Sequence, residues 1–358
     1  MNYVVILAGG IGERLWPKSR ASMPKHLQAI VGTKTMFQQA VDRVRGFTDI
    51  KNIFVVTAAA QKKTILKQIP DLIPKNVIGE PVGKNTAAAV GVAATVIHSA
   101  DENAVMASLH SDHYIEDIHS FQRVLSDCCA VAEETGALMT IGIKPDYPNT
   151  GFGYIHCADK MKFKFKTVFH RAAGFKEKPD EKTAKKYLKS GEYLWNSGMF
   201  IWKTSVILDE IKKNMPQLYK ACMKLSESIG KSGFAKALRK AYDSLDNIPI
   251  DTGIMEKAKN VIMAEAAFDW DDVGSWLSVE KHIRKDDNDN AVQGEFIGLD
   301  SSGCIIDSGS SLIATVGVKD LIIVRSGDAV LVCHKNRAQE VKDIVHKLKS
   351  NPRLNKHT

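Results

Sequence analysis

The sequence has no long apolar run, no CxxC pair and no complete glycine fingerprint for a nucleotide. Without an apolar stretch of about 20 residues, no helix crosses a bilayer. The N-terminal run YVVILA, with its flanks, is too short for a secretory h-region. The six cysteines, Cys128, Cys129, Cys157, Cys222, Cys304 and Cys333, have no metal or redox spacing. They read as small thiols in a reducing compartment, and the expectation is a cytoplasmic protein. No stretch supplies G-x-x-x-x-G-K-[ST]: in VGKNT (82–86), Asn85 stands where a hydroxyl residue belongs. Gly10-Ile11-Gly12 begins a dinucleotide fingerprint, but Leu15 takes the place of its third glycine. Both P-loop hydrolysis and hydride transfer lose ground on these absences. No low-complexity tract occurs.

What is present suits a large globular protein. The chain has 358 residues, 44% hydrophobic and 25% charged, enough for a sizeable core and more than one domain. The formal net charge is +8. A nucleic-acid binder would concentrate that charge in a basic stripe with interleaved aromatics. Here Lys and Arg are spread along the chain and basic segments alternate with acidic ones. The expectation is an evenly solvated basic surface, apart from a few lysines at a site.

Continuous β-branched runs at YVVILAGG, NIFVVTA (52–58), AVMASLHSDH (104–113) and ALMTIGI (137–143) predict strands buried on both faces. Helical stretches lie between them, at Met36–Arg45, Thr86–His98 and His119–Glu134. This alternation predicts a doubly wound α/β sandwich, with ligands at the carboxyl ends of the strands. The pattern from Gly151 to about Phe268 is less regular, with helices near Glu181–Lys189, Ser205–Lys213 and Phe234–Leu245. Lys162, Lys164 and Lys166 alternate as on a strand facing water. RKDDNDN (284–290) reads as a linker. After it, EFIGLD, GCIID, SLIATV, DLIIVR and AVLVCH are short strands between turns, a β-helix-like module. A final helix aligns Ala338, Val341, Ile344, Val345 and Leu348 on one face. The expected domains are 1–283, a linker 284–290, and 291–358.

The segment LAGGIGERLWPKSRASMPKHL follows the first strand. Its glycines let backbone N–H groups approach an anion, Arg14 presents a forked pair of donors, and Lys25 adds a point charge. A plain glycine-rich turn with surface cations is the alternative. Further motifs follow in order: GEPVGKNTAAAV (79–90), SDHYI (111–115), NTGFGYI (149–155), FKEKP (175–179), WNSGMFIW (195–202), IDTGIMEKA (250–258) and WDDVGSW (270–276).

With these segments the chain resembles the bacterial sugar-1-phosphate nucleotidyltransferase family, most nearly its members acting on mannose 1-phosphate. The resemblance covers nearly the whole length. It implies a Rossmann-like nucleotidyltransferase sandwich with a mixed, mostly parallel sheet, and a small C-terminal β-helix-like domain. It implies GMP transfer from GTP to α-D-mannose 1-phosphate, releasing pyrophosphate and giving GDP-mannose. Mg²⁺ is the implied cofactor, held by Asp112 and Asp272, with Asp271 the lesser choice. A zinc reading of HSDH through His110 and His113 ranks below it, and a helix N-cap is the alternative role for Asp112.

Arg14, Lys25 and Lys178 carry the implied catalytic charges. Leu7, Ala8, Gly9, Gly10, Gly12, Gly83, Lys84, Asn85, Thr86 and Asp112 line the nucleotide, and the Glu80 carboxylate accepts from guanine. Asn85 or Thr86 has helix capping as its other role. Gly151, Glu177, Lys178 and Asn196 are the implied sugar-site residues. Two departures from the family pattern are Lys176, where Val often stands, and SDH, where a small apolar pair often precedes the aspartate. The competing readings are guanylyl transfer to a heptose or fucose phosphate, and a non-catalytic GDP-mannose-binding subunit. The second should have lost Arg14 or a metal carboxylate, and has lost neither. The apolar strands and amphipathic helix of the C-terminal module are expected to pack against the catalytic domain or a second subunit, and a homodimer is expected. No nucleic acid or membrane partner is implied.

Overall fold

The computed structural model describes residues 1–358. The chain forms two compact units, each discontinuous in sequence. The first comprises 1–8, 41–110 and 115–270. Its sheet contains β1 (Asn2–Ala8), β2 (Ile53–Ala58), β3 (Val77–Glu80), β4 (Val105–His110), β5 (Leu138–Ile143), β6 (Tyr154–Met161), β7 (Phe169–Lys176), β8 (Tyr193–Lys203) and β9 (Val261–Glu265). The order is β3-β2-β1-β4-β8-β5-β9-β7-β6. The first four strands are parallel neighbours, β8 runs antiparallel to both β4 and β5, and β5 pairs parallel with β9. Val4, Val5 and Ile6 are completely buried, as a strand covered on both faces requires.

The helices are α1 (Met36–Arg45), α2 (Lys62–Gln68), α3 (Asn85–Ala100), α4 (Ile118–Thr135), α5 (Glu181–Ser190), α6 (Thr204–Asn214), α7 (Pro216–Ser226), α8 (Phe234–Asp243), α9 (Trp276–Glu280) and α10 (Val341–Ser350). Alanine-rich α3 is buried along most of its length and shares a core with β1, Trp202 of β8, Leu218 of α7 and Tyr242 of α8. Small side chains permit that close approach. Asp117 caps α4 by accepting from Ser120 N, and Gly136 ends it with φ +64°. No helix is long and apolar enough to cross a membrane.

The second unit comprises 9–40, 111–114 and 271–358. Its sheet runs in chain order: β10 (Ala291–Leu299), β11 (Ile305–Val316), β12 (Leu321–Ser326) and β13 (Ala329–His334). β10, β11 and β12 are parallel neighbours and β13 is antiparallel to β12. Leu15, Trp16, Ile30 and Val31 from the N-terminal segment share one core with Trp276, Val279, Ile305, Ile322, Val324, Val341 and Val345. Trp16 Nε1 donates to the carbonyl of His357 at 2.8 Å, and Trp276 Nε1 to the carbonyl of Trp16 at 3.2 Å.

Several local expectations need correction. Residues 162–166 lie outside any strand, with bends from 164 onward; the lysines there are nevertheless exposed. GCIID and SLIATV are one bent strand, β11, turning at Gly309 with φ +59°. The linker reading of 284–290 is not overturned; within it Asp286 accepts from the backbone of Asn288 and Asn290, and Asn290 ties to Ser301 and Cys304. Ile344 of α10 is exposed, while Val341 and Val345 are buried.

Trp276 is fully buried at the centre of the second core and holds the Trp16 carbonyl. Trp276→Ala is expected to cost about 3–5 kcal/mol. A downward shift of the urea midpoint, followed by far-UV circular dichroism, checks this.

Candidate active site

The predicted site residues divide between the two units. In the second unit, the chain leaves β1 through Gly9, Gly10 and Gly12, the last two at φ +84° and +78°. Gly12 is required: a Cβ there would lie 2.7 Å from Lys25 Cβ. The Lys25 stem therefore lies against bare backbone, and Lys25 N donates to the Ile11 carbonyl at 3.0 Å. Its side chain is only 6% exposed. A buried ammonium needs anionic or carbonyl partners. Nζ has both, Asp112 Oδ2 at 2.8 Å and the backbone carbonyl of Asp272. Arg14 sits on the 3-10 turn Glu13–Leu15; Leu15 is buried in the core and Arg14 is exposed.

A backbone pair sets the two acidic segments side by side: Tyr114 N to Asp271 O at 2.8 Å, and Asp271 N to Tyr114 O at 3.1 Å. Asp271 is committed to structure. Its Oδ1 accepts from Val273 N at 2.6 Å, and its Oδ2 faces His282 Nε2 at 3.2 Å. Asp272 is the aspartate left to the site, its Oδ1 accepting from Gly274 N at 3.1 Å. Burial pushes the Asp272 carboxyl above the ordinary 3.8; Lys25 opposes that rise, while Asp271 and Asp112 add to it. Val273, the residue after Asp272, has φ +48°, a strained conformation for a β-branched residue.

This donor set fits a hard divalent cation, with carboxylate oxygens and anionic repulsion left to offset. Within the turn 110–113, His110, Asp112 and His113 bring one ligand-type atom each within 4.8 Å of one another.

In the first unit, Leu7 and Ala8 are buried at the end of β1, so only their backbone can serve a ligand. Gly83 is exposed in open space. Lys84 precedes α3 without a side-chain cap. Asn85, at φ +64°, accepts from Thr86 N at 2.9 Å, and Thr86 Oγ1 accepts from Ile250 N at 2.8 Å. The Thr86 hydroxyl thus ties α3 to the 250 segment, and neither Asn85 nor Thr86 caps the helix, which starts at Asn85 with no side-chain cap. Glu80 ends β3, where Tyr242 Oη donates to its Oε1 at 2.9 Å. Burial raises the Glu80 carboxyl above the ordinary 4.5, against the lowering effect of that bond.

Glu177 and Lys178 form an ion pair with each other; the side chains are 43% and 62% exposed. Lys178 has φ +43°, and Pro179 follows it. Asn196 is held at both ends: Nδ2 donates to Asp251 Oδ1 at 2.7 Å, and Oδ1 accepts from Gly198 N at 3.0 Å. Gly151 N donates to Asn149 Oδ1 at 2.7 Å. Gly153 lies nearer the pair: a Cβ there would meet Glu177 Oε2, the tip of a movable side chain, at 2.7 Å.

Sequence reasoning missed Gly153, Asp251 and Tyr242. Asp251 had a signal, an acid opening IDTGIMEKA; it begins a one-turn π-helix, Asp251–Met255, a distortion frequent at functional sites. Burial raises its carboxyl above the ordinary 3.8, against the Asn196 hydrogen bond. Nothing in the sequence linked Tyr242 to Glu80.

Known proteins resemble the chain over nearly its full length. A family model described as nucleotidyl transferase matches residues 3–289, and one described as MannoseP isomerase/GMP-like beta-helix domain matches 294–348. Mannose-1-phosphate guanylyltransferase of Salmonella montevideo is 36% identical, over 96% of this chain and 73% of the relative. The protein of that name from Klebsiella pneumoniae is also 36% identical, over 98% and 74%. The crystal structure of a Thermus thermophilus protein, described as mannose-1-phosphate geranyltransferase, superposes with a TM-score of 0.87 at 30% identity, covering 97% of this chain and 99% of that one.

Glu80→Gln keeps an acceptor for Tyr242 but carries no charge. The wild-type carboxyl titrates above its unfolded value in the fold, so its ionisation costs stability at neutral pH and nothing below about the ordinary 4.5. The variant should therefore be more stable than wild type at pH 7, and the gain should fade as pH falls toward 4.5. Thermal unfolding of both proteins across that range checks the sign.

Proposed function

The chain belongs to the nucleotidyl transferase family, and on that premise we propose that it transfers GMP from GTP to α-D-mannose 1-phosphate. The products are GDP-mannose and pyrophosphate. The name its relatives share supports the substrate assignment. The observation that carries the chemistry is the buried ammonium of Lys25 between the Asp112 carboxylate and the Asp272 main chain.

In this reaction a sugar-phosphate oxygen forms a bond to the α-phosphorus, and the bond to pyrophosphate breaks. Both reactants are polyanions. At an effective dielectric near 20, one pair of unit charges about 4 Å apart repels by about 4 kcal/mol. Relief of that repulsion, with positioning, is what the protein must supply. Lys25 is held in place before any substrate arrives, so its charge needs no reorganisation during the reaction. Arg14, exposed on its turn, takes the departing pyrophosphate. Lys178, whose partner is the adjacent and exposed Glu177, takes the phosphate of the sugar. Glu177 then accepts from sugar hydroxyls. Asn196, with its amide fixed by Asp251 and Gly198, offers its remaining N–H. Glu80 accepts from N1–H and N2–H₂ of guanine.

Family members generally use a divalent metal. Here the reading is Mg²⁺ on Asp112 and Asp272, because carboxylate oxygens suit it. When bound, it supplies positive charge to the phosphate oxygens.

The test is the complete reaction: protein, GTP, mannose 1-phosphate and Mg²⁺, assayed for pyrophosphate and GDP-mannose. Asp112→Ala and Asp272→Ala should each lower kcat by about a hundred-fold or more. Undiminished turnover in both folded variants overturns the assignment. Turnover with heptose or fucose phosphates in preference to mannose 1-phosphate overturns the sugar.

A homodimer belongs to the same reading. On β10 and β11, Ile297, Leu299, Leu312 and Val316 are 62%, 62%, 59% and 71% exposed, with Leu299 opposite Val316 in register. Light scattering at micromolar concentration should give twice the chain mass, and Leu299→Glu with Val316→Glu should return it to monomer.

A further inference from the structure

The positive charge is not evenly distributed. Residues 212–240 contain eight cations, Lys212, Lys213, Lys220, Lys224, Lys231, Lys236, Arg239 and Lys240, against one acid, Glu227. That is a net +7 in 29 residues of a chain whose total is +8. The expectation of an evenly basic surface therefore fails here.

The segment runs from the end of α6 through α7 and a turn into α8, and a cleft of about 650 Å³ opens along α7, the turn and α8. That volume lies within the range of small-molecule sites. Lys220, Lys224, Lys231 and Lys240 line the cleft, and its apolar lining includes Leu225 and Ala237. All four lysines are exposed, and none of their ammonium groups has an ion pair or a hydrogen bond. Lys220 and Lys224 are four residues apart on α7, a spacing at which like charges repel. Glu227 is the one acid among the lining residues, so the cleft is net positive, and a net positive cluster over an apolar floor matches a ligand with an anionic head and an apolar or flat body.

We propose that the α7–α8 cleft is a second binding site, for a phosphorylated amphiphile. The phosphate or diphosphate lies among the four lysines, and the body lies on Leu225 and Ala237. A free nucleotide and a lipid phosphate share this chemistry. Occupancy also bears on nucleotide binding. Ala241 of α8 lines the cleft, and the next residue, Tyr242, holds Glu80 at 2.9 Å. A ligand that fixes α8 fixes the orientation of that carboxylate. The coupling rests on the reading of Glu80 as the guanine acceptor; the binding site does not.

Hydrogen exchange on the full chain tests the site, with GDP, farnesyl diphosphate and inorganic pyrophosphate as separate probes. GDP or farnesyl diphosphate should protect peptides from 216–243, pyrophosphate should not, and high salt should remove the protection. Protection by GDP identifies a nucleotide ligand, and protection by farnesyl diphosphate a lipid phosphate. The variant Lys220→Gln, Lys224→Gln, Lys231→Gln, Lys240→Gln should bind at least ten-fold more weakly and keep wild-type turnover, since none of these residues serves the reaction. No protection of 216–243 by either amphiphile, protection by pyrophosphate alone, or protection that survives the four substitutions overturns the site. For the coupling, the effective probe should shift the KM for GTP by about five-fold or more in wild type relative to the four-lysine variant. An equal KM response in the two proteins, with 216–243 protected in wild type, overturns the coupling and leaves the site. The role of Glu80 is judged separately, from the GTP-over-ATP preference of Glu80→Gln, which the cleft does not enter.

Discussion

The buried ammonium of Lys25 is the constraint around which the second unit is arranged. Removing a cation from water costs several kcal/mol unless anionic and carbonyl partners replace the water. Those partners come from two distant stretches of chain, Asp112 and the backbone of Asp272. Their approach is fixed by the reciprocal backbone pair of Tyr114 and Asp271. The lysine stem requires Gly12, because any Cβ there collides with it. The turn after Gly12 is in turn anchored by Leu15 and Trp16 in a core shared with Trp276 and the C-terminal strands. The β module thus has a chemical purpose without a reactive group of its own: it holds the glycine-rich segment against which the lysine lies.

The first unit solves a different problem, keeping polar side chains oriented without burying isolated charge. Its groups are held in pairs. Asp251 and Gly198 fix the two ends of the Asn196 amide, and Tyr242 fixes one oxygen of Glu80. In each pair a carboxylate is raised by burial and partly restored by a hydrogen bond from a neutral donor. Such carboxylates gain from a ligand that donates hydrogen bonds to them, as sugar hydroxyls and guanine N–H groups do. The same unit leaves a lysine cluster on α7 and α8 unneutralised, the opposite treatment of charge. Groups near the β3 edge are matched to each other, whereas those lysines are matched to nothing within the chain.

The sequence made one part of this legible and hid another for physical reasons. Strands β1, β2, β4 and β5 are covered on both faces and so appear as unbroken apolar runs. Strands β6 and β7 are half exposed and carry His, Lys and Arg on their open faces, so they show no such run. Helix α7 was missed between two recognised helices. The motif order was enough to single out Lys25, Asp112 and Asp272. It did not reveal that Leu15 and Trp16 join the C-terminal core, because contacts such as Trp16 with Trp276 span 260 positions and leave no local pattern. Tyr242 escaped for the same reason, since it matters through Glu80, 162 positions away.

Backbone strain explains why the WDDVG segment takes the form it does. Two adjacent aspartates in an extended chain would face opposite sides by simple alternation. Here the chain must also turn at once, so that Asp271 faces His282 and the Val273 N–H while the Asp272 carboxyl reaches only as far as Gly274. Val273 makes that turn at φ +48°. A β-branched residue in this region costs about 1–3 kcal/mol, which glycine would avoid. Glycine, however, would lose the side chain, which is completely buried beside Trp276 and Leu15. Burying a valine contributes about 1.5–3 kcal/mol, comparable to the strain. Valine is therefore tolerated because its packing fixes a turn that its own backbone disfavours. The strain at Val273 and the Asp271–His282 contact together leave Asp272, rather than its neighbour, beside Lys25.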